Sequence, residues 1–315
     1  MYSLLFNKAV SIGQLHMPTK NSNLLPVISC LISATLWGLL WYPLRVLEQK
    51  GVFGLWASIL IYTSTLIPLL PGLWVTRAGV LKQPLMLALI GLFAGWANLG
   101  FILAVLEGNV VRVLLLFYLS PVWTVLLGIW ILNEHLTRLA WASILIAMSG
   151  AVIMLSHPDQ GLIIPAGAAD LLAISAGFAF AVMNVLIRKT GEIPIVLKMG
   201  STCLGVLLLS TAGLLIMPSP APVFNLSTLT LAISVGAIGM LVMTYTAQYG
   251  VTHLPVHRSA VIFLFEIVAG AVSAALLTDE IVNTKEWLGG GLVVLAAWFT
   301  AMDSMQSRNQ LSQSK

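Results

Sequence analysis

Residues 112–141 read RVLLLFYLSPVWTVLLGIWILNEHLTRLAW: an arginine, a long apolar run, an acid near its end, and a tryptophan that opens the next run. Residues 258–287 repeat this plan as RSAVIFLFEIVAGAVSAALLTDEIVNTKEW. The arginines, the glutamates (Glu134 and Glu280) and the tryptophans are each 146 positions apart. Unrelated apolar helices rarely share one offset at three such positions. The sequence is therefore interpreted as two copies of one membrane unit.

The composition supports a membrane location. Of the 315 residues, 59% are hydrophobic and 8% are charged, whereas a soluble globular protein carries about 25% charged residues. The chain has too few polar side chains to cover a surface that faces water. Its basic residues lie singly in short segments rather than in a stripe, so its pI near 9.2 does not indicate nucleic-acid binding.

Ten apolar runs have about the length that a membrane-spanning helix needs, roughly 20 residues. The predicted spans are 25–46, 53–75, 84–106, 110–132, 138–155, 166–187, 195–217, 227–250, 255–277 and 286–303. The sequence thus predicts an all-α membrane protein of ten transmembrane helices in two five-helix repeats, 25–155 and 166–303. Residues 1–24 and 304–315 are predicted to be cytoplasmic tails.

The basic residues predict the orientation. With the N-terminus in the cytoplasm, 11 of the 15 lysines and arginines fall on the inner side, and the other four are Arg45, Lys50, Arg112 and Lys285. This bias favours both termini in the cytoplasm, and we expect a bacterial inner (plasma) membrane. Because each half has an odd number of helices, the second half is then inverted relative to the first, as in secondary transporters.

The first helix of each half also repeats, as ISATLWGLLWYPLR and ISAGFAFAVMNVLIR. This match aligns Trp37 with Phe180 and Trp41 with Asn184. Residues spaced i, i+4 share one helix face, so each pair is expected on a single face. The third and eighth helices similarly align Asn98 with Thr244.

Glu266 is the only acid placed well inside a predicted span. A charged side chain at a helix centre costs about 2.5–3.5 kcal/mol on insertion scales, so Glu266 should face a cavity or be protonated. Three roles remain open: a proton-coupling site, a counter-charge for an amine on a substrate, and a neutral acid bonded to a neighbouring helix.

Other polar and aromatic residues lie deep in the spans and could line a binding cavity. For each one alone, packing, hydrogen bonding between helices or a proline kink is an alternative role. The predicted binding set is Trp37, Trp41, Asn98, Tyr118, Pro121, Asn184, Tyr245, Gln248 and Glu266.

Three features resemble the EamA-type carriers of the drug/metabolite transporter superfamily. They are Trp37-Gly38, the run LLLFYLSPVWTVLLGIWILNE in the fourth helix, and LFE in the ninth. The resemblance implies a five-plus-five inverted topology, a central cavity lined by the early helices of each half, and export of metabolites, amino acids or drugs. Family members commonly have proline after the ninth-helix glutamate. Ile267 occupies that position here, so we expect no proline kink.

Several other chemistries lack their motifs. The sequence has no G-x-x-x-x-G-K-[ST], H-E-x-x-H or G-x-S-x-G, so an ATP-driven motor, a zinc site and a nucleophile elbow are not predicted. All five histidines are assigned to tails or loops. Arg112 and Arg258, at predicted helix starts, are expected to bind lipid phosphate or an acidic loop residue such as Glu107.

Together these observations predict a secondary transporter, not an enzyme, that exports a small amphipathic solute without a cofactor. Its expected partners are that solute and membrane lipids, but not nucleic acid; proton coupling through Glu266 and a homodimer are left open. One alternative is a nucleotide-sugar-type exchanger, which would need cations deep in the cavity where none is predicted. The other is a membrane enzyme or sensor, for which a catalytic cluster and a soluble domain are missing.

Overall fold

The computed structural model describes residues 24–52, 54–155, 167–223, 225–278 and 283–313. These residues form helices joined by short connections, with no β-strand among them. The expected tail 1–24 lies outside the described residues except for Leu24, which begins the first helix. Glu280, the acid of the second copy, also lies outside them.

Helical segments that continue one another across a short interruption are numbered here as one helix. The helices are α1 (Leu24–Gln49), α2 (Gly54–Thr76), α3 (Pro84–Glu107), α4 (Val110–Leu132), α5 (Arg138–Leu155), α6 (Ala168–Lys189), α7 (Ile195–Ile216), α8 (Leu226–His253), α9 (Val256–Leu277) and α10 (Thr284–Gln313). A 3₁₀ helix, Arg77–Lys82, follows α2.

Nine helices of the described residues, α1 to α9, are long and apolar enough to cross a membrane. The chain is therefore an integral membrane protein. The tenth expected span, 286–303, lies inside α10. That helix continues to Gln313, so the boundary expected at 303 is not a helix end. It continues because residues 304–313 contain no proline or glycine, the residues that most readily end a helix.

The helices of the two halves pack against one another in matching pairs. Helix α3 packs on α6 and α7, and α8 packs on α1 and α2. Likewise α4 packs on α6 and α9 packs on α1, while α5 lies along α10. Each of these contacts between the halves thus has a counterpart in which the repeat-equivalent helices have exchanged roles.

Small residues allow the closest helix pairs to approach. A Cβ atom on Gly91 would lie 2.7 Å from the Ser201 carbonyl oxygen, and Gly95 lies against Gly205, so the G-x-x-x-G of α3 packs on α7. Gly150 and Gly289 make the same kind of contact between α5 and α10. The backbones of these helix pairs are therefore in direct contact.

Three helices are interrupted near the middle of the molecule. Helix α1 has a turn at Leu40, α4 has one at Tyr118–Leu119, and α9 has one at Leu264. Tyr118 and Leu264 are 146 positions apart, so the interruptions of α4 and α9 are repeat-equivalent. Helix α9 contains no proline, yet it is still interrupted, because the N–H of Leu264 donates to the Val261 carbonyl, an i−3 rather than an i−4 bond.

Candidate substrate-binding site

A cavity of about 320 Å³ lies between the two halves, at the three helix interruptions. We call it the central cavity. Residues from eight helices line it: α1 to α4 and α6 to α9. It contains eight of the nine sequence-predicted binding residues: Trp37, Trp41, Asn98, Tyr118, Pro121, Asn184, Gln248 and Glu266.

Tyr245 does not line the central cavity. Its side chain is 46% exposed on the outer face of α8, where it stacks on Tyr249 with ring centroids 6.3 Å apart. Thr244 and Gln248 line the cavity from the same helix. Because each residue turns an α-helix by about 100°, the position next to Thr244 points away from the cavity.

The lining is contributed by equivalent positions of both copies. Trp37 and Trp41 face the cavity together with their counterparts Phe180 and Asn184, and Asn98 together with Thr244. The position equivalent to Glu266, 146 residues earlier, is Ser120, which also lines the cavity. The two halves therefore build one site in which only one of these two positions carries an acid.

The predicted binding set leaves out five aromatic residues that line the cavity: Tyr62, Phe101, Phe117, Phe180 and Phe263. Phe117 and Phe263 are 146 positions apart, so the repeat offset contains a signal that could have identified them. The ring of Phe117 packs edge-to-face on Phe101, with ring centroids 5.0 Å apart. Its centroid lies 5.7 Å from that of Phe180. These rings form an aromatic wall between α3, α4 and α6.

Glu266 lies in the first turn of the second segment of α9, Phe265–Leu277. Its Oε1 accepts a hydrogen bond from the Tyr118 hydroxyl at 2.8 Å, which joins the two interrupted helices. Gly38 of α1 packs directly behind it, since a Cβ atom at Gly38 would lie 2.5 Å from the Glu266 carbonyl oxygen. The acid is thus held where α1, α4 and α9 meet.

A second cavity, of about 400 Å³, lies on the other side of Glu266. It shares four lining residues with the central cavity, and we call these the shared wall: Trp37, Trp41, Tyr118 and Glu266. The Trp41 indole N–H donates to Ser273 Oγ at 2.9 Å, which fixes this ring against α9. Arg45 and Glu286 line the far part of the second cavity, at the end of the molecule where α1 ends and α10 begins.

A polar cluster around Glu134, which follows α4, joins helix ends on the side of the molecule opposite the second cavity. Its carboxylate accepts from the backbone N–H of Val256 at 3.0 Å, contacts His257 Nδ1 at 3.0 Å, and lies 3.9 Å from Arg188 Nε. Arg188 also donates to the Thr252 carbonyl. This Glu134 cluster (Glu134, Arg188, Thr252, Val256 and His257) joins the ends of α4, α6, α8 and α9.

Two polar residues at this end are buried. His257 was assigned to a loop, but it lies in the first turn of α9 and is buried. Lys198, one of the basic residues assigned to the inner side, lies in α7 with 0% exposure. Its Nζ donates to the Ile187 carbonyl and to Thr252 Oγ1, each at 3.0 Å. These bonds explain how a lysine tolerates burial there.

The partner expected for Arg112 is also corrected. Arg112 forms a bidentate ion pair with Asp170 at the start of α6, with Nη2–Oδ2 at 2.8 Å and Nε–Oδ1 at 2.9 Å. Neither Glu107 nor a lipid phosphate is needed to explain the position of Arg112. The pair connects α4 to α6 at the end opposite the Glu134 cluster.

The polar groups of the central cavity are few. Gln248 Nε2 donates to Thr202 Oγ1 at 3.0 Å, while its Oε1, in a residue only 4% exposed, has no hydrogen-bond partner among the described residues. Asn98 Oδ1 accepts from Ser58 Oγ at 2.9 Å. Among the described residues that line this cavity, Glu266 is the one carboxylate, and none is a lysine, arginine or histidine.

The sequence matches the model of the EamA-like transporter family twice, at residues 24–156 and 167–302. The chain belongs to this family. The two matches cover the two repeats recognised from the 146-residue offset, so the family assignment and the two-repeat architecture are confirmed. The EamA-like family is a family of membrane transporters of the drug/metabolite transporter type, not a family of enzymes.

A solved crystal structure of another protein has the same fold as this EamA-like chain. The two superpose with a TM-score of 0.74 at 18% sequence identity, over 88% of this chain and 96% of the other. A search of curated protein sequences returned no match.

Proposed function

We propose that this protein is a secondary transporter that exports a small amphipathic organic solute, such as an amino acid, a metabolite or a drug. The observation that carries the proposal is the central cavity, which lies between the halves and is lined by equivalent positions of both. Alternating access requires such a site at the interface of two repeats. Its volume suits a small molecule, since ligand pockets span about 300–1,000 Å³.

The repeats are proposed to be inverted, with ten spans in total. Five helices fall in each family match, and α10 supplies the tenth span through 286–303. An odd number of spans per repeat requires the second repeat to enter the membrane from the other side. The exchanged packing pairs, such as α3 on α6 and α8 on α1, are what a two-fold relation between the halves would produce.

Both termini are proposed to be in the cytoplasm of a bacterial inner membrane. The Glu134 cluster then lies at the cytoplasmic end, together with Lys198, which agrees with the preference of cytoplasmic ends for basic residues. The second cavity lies at the opposite end. In this arrangement the structure corresponds to a state closed to the cytoplasm, with the shared wall between the substrate and the outside.

Coupling to protons is proposed to involve Glu266. Its carboxylate lies in the shared wall, in contact with both cavities, so a proton could reach it from either side in alternate states. A carboxyl group inside a membrane protein is a functional-site hypothesis by default, because burying its charge is costly. A competing structural role, as a hydrogen-bond acceptor for Tyr118, would not require titration.

The alternatives have less support. A nucleotide-sugar exchanger needs cationic side chains for the phosphates, and the described lining of the central cavity has none. Lys198 is buried nearby, but two hydrogen bonds commit it to Ile187 and Thr252. An enzyme would need a cluster of polar catalytic groups, whereas this cavity is mostly aromatic and aliphatic.

The experiment that tests the proposal is solute flux in proteoliposomes, with a panel of amino acids, amines, metabolites and drugs, with and without a pH gradient. We expect saturable flux of at least one amphipathic solute, and competition by that solute for binding in the central cavity. Absence of protein-dependent flux across the whole panel, with folded protein verified in the same vesicles, would count against a transporter.

A further inference from the structure

We infer that the solute recognised by the central cavity is an organic amine, bound as its protonated ammonium, with an apolar or aromatic body. The inference deepens the proposed transport function and rests on it for its biological meaning. It concerns binding, however, and can be tested without transport. Three independent features of the cavity support it: its charge, its aromatic lining and an unpartnered acceptor.

The negative charge of Glu266 favours a positively charged ligand. Glu266 is the one charged side chain among the described residues of the lining, and no cation faces it across the cavity. One carboxylate oxygen accepts from Tyr118, and Oε2 has no hydrogen bond within the described part of the chain. A buried carboxylate is stabilised by an opposite charge, so an ammonium ligand gains an ion pair. An anionic ligand would meet like charge.

The aromatic lining suits both parts of such a ligand. Eight side chains around the cavity are aromatic, including Trp37, Trp41, Phe117 and Phe180. Trp37 and Trp41 belong to the shared wall with Glu266, so all three side chains line both cavities. The faces of indole and phenyl rings attract cations, and cages of this type recognise ammonium groups. The remaining rings offer an apolar surface for the body of the ligand.

The unpartnered acceptor, Gln248 Oε1, favours a ligand that carries N–H groups. Gln248 Oε1 is buried beside the cavity, where no described residue donates to it, while the amide nitrogen donates to Thr202. Leaving a buried acceptor unpaired is unfavourable, and a ligand N–H can pair it. A primary or secondary ammonium has donors for both Glu266 and Gln248. A carboxylate ligand has no donor for either side chain.

The test is binding of three aryl probes of similar size to purified protein: 2-phenylethylammonium, 2-phenylethanol and 3-phenylpropionate. Affinity is measured by calorimetry. We expect the ammonium to bind about tenfold or more tightly than the alcohol, equivalent to 1.4 kcal/mol or more, and the propionate to bind more weakly than both. Equal affinity for ammonium and alcohol, tighter binding of the propionate, or no binding of any probe would overturn the inference.

Variants locate the interaction. Glu266→Gln should reduce ammonium affinity to that of the alcohol while leaving alcohol affinity unchanged, which also shows that the variant is folded. Gln248→Met should weaken the ammonium selectively and less strongly. Glu48→Gln, at an exposed acid outside both cavities, is the matched control and should change neither. If Glu266→Gln keeps the preference for ammonium over alcohol, the amine site lies elsewhere and the inference fails.

The binding experiment and the flux experiment test the two proposals separately. Selective ammonium binding without flux would support the inference and contradict the proposed transport function. Flux confined to solutes that have no amine would support transport and contradict the inference.

Discussion

Glu266 accepts a hydrogen bond from Tyr118 and lines two cavities. If it carries the coupling proton, Glu266→Gln should abolish the acceleration of flux by a pH gradient and spare gradient-independent exchange. The amide keeps the shape and much of the hydrogen bonding of the acid but cannot titrate. Flux in proteoliposomes measures both rates. A Gln variant still driven by the gradient would place the coupling site on another residue.

At Gly38, the backbone of α1 touches that of α9. A Cβ atom there would lie 2.5 Å from the Glu266 carbonyl oxygen and 2.7 Å from Ala269 Cβ. Overpacking of this kind typically costs about 1–3 kcal/mol, so Gly38→Ala should lower the melting temperature of the purified protein. Gly239→Ala is the control, because no atom lies within 4 Å of that Cβ position. Equal melting temperatures for the two variants would contradict the close approach of α1 and α9.

Individual residues show what the sequence could and could not predict. Eight of the nine proposed binding residues line the central cavity. They could be selected from the sequence because they are polar, aromatic or kink-forming residues in otherwise aliphatic spans. Tyr245 was misplaced because depth in a span does not specify the helix face. Asp170 was missed as the partner of Arg112 because the two are 58 positions apart in sequence and meet only through the packing of α4 on α6.

At the scale of the helices, the Glu134 cluster connects the end of α4 to the start of α9. We expect this connection to close the central cavity on that side. Glu134→Ala would leave the Val256 N–H and His257 without their acceptor, and losing a hydrogen bond to a charged group typically costs about 1.5–3 kcal/mol. We expect a cysteine introduced at Ser259, which lines the cavity, to react faster with a hydrophilic thiol reagent in this variant.

The control for this prediction is Glu192→Ala, an exposed acid in the loop after α6 at the same end of the molecule. Cys30 and Cys203 are buried with 0% exposure, so their background labelling should be slow. Unchanged labelling at position 259 in the Glu134 variant would mean that the cluster does not close the cavity.

The helix interruptions were only partly predictable. Pro121 indicated a break in α4, and the structure has one just before it, at Tyr118–Leu119. In α9 no proline marks the break at Leu264, since Ile267 stands where the family commonly has proline. The repeat offset connects Leu264 to Tyr118, so the architecture of the repeat, rather than local sequence, accounts for the interruption.

For the whole molecule, composition and periodic apolar runs were sufficient to predict the class and the helices. Predicted spans agree closely with the structure, for example 84–106 with Pro84–Glu107 and 195–217 with Ile195–Ile216. This agreement arises because a bilayer requires continuous apolar helices of one length. The two cavities depend on how the helices pack, which span prediction does not address.

The proposed topology makes a separate prediction. Reporter fusions after Lys20, Lys50, Gln160 and Lys315 should read cytoplasmic, external, external and cytoplasmic. The reason is that five spans separate Lys20 from Gln160, and five more separate Gln160 from Lys315. An external signal at Lys315 together with a cytoplasmic one at Lys20 would exclude an even number of spans and the inverted repeat.

The central claim is that solute crosses the membrane through the cavity between the two halves. Its most direct test is solute flux in proteoliposomes containing Trp41→Ala, beside Trp130→Ala at a tryptophan 79% exposed on the outer surface of α4. Losing a large aromatic contact beside the solute should reduce flux by about tenfold or more, because 1.4 kcal/mol corresponds to a factor of ten. The Trp130 variant should transport like the wild type. Wild-type flux in a folded Trp41→Ala protein would contradict the claim.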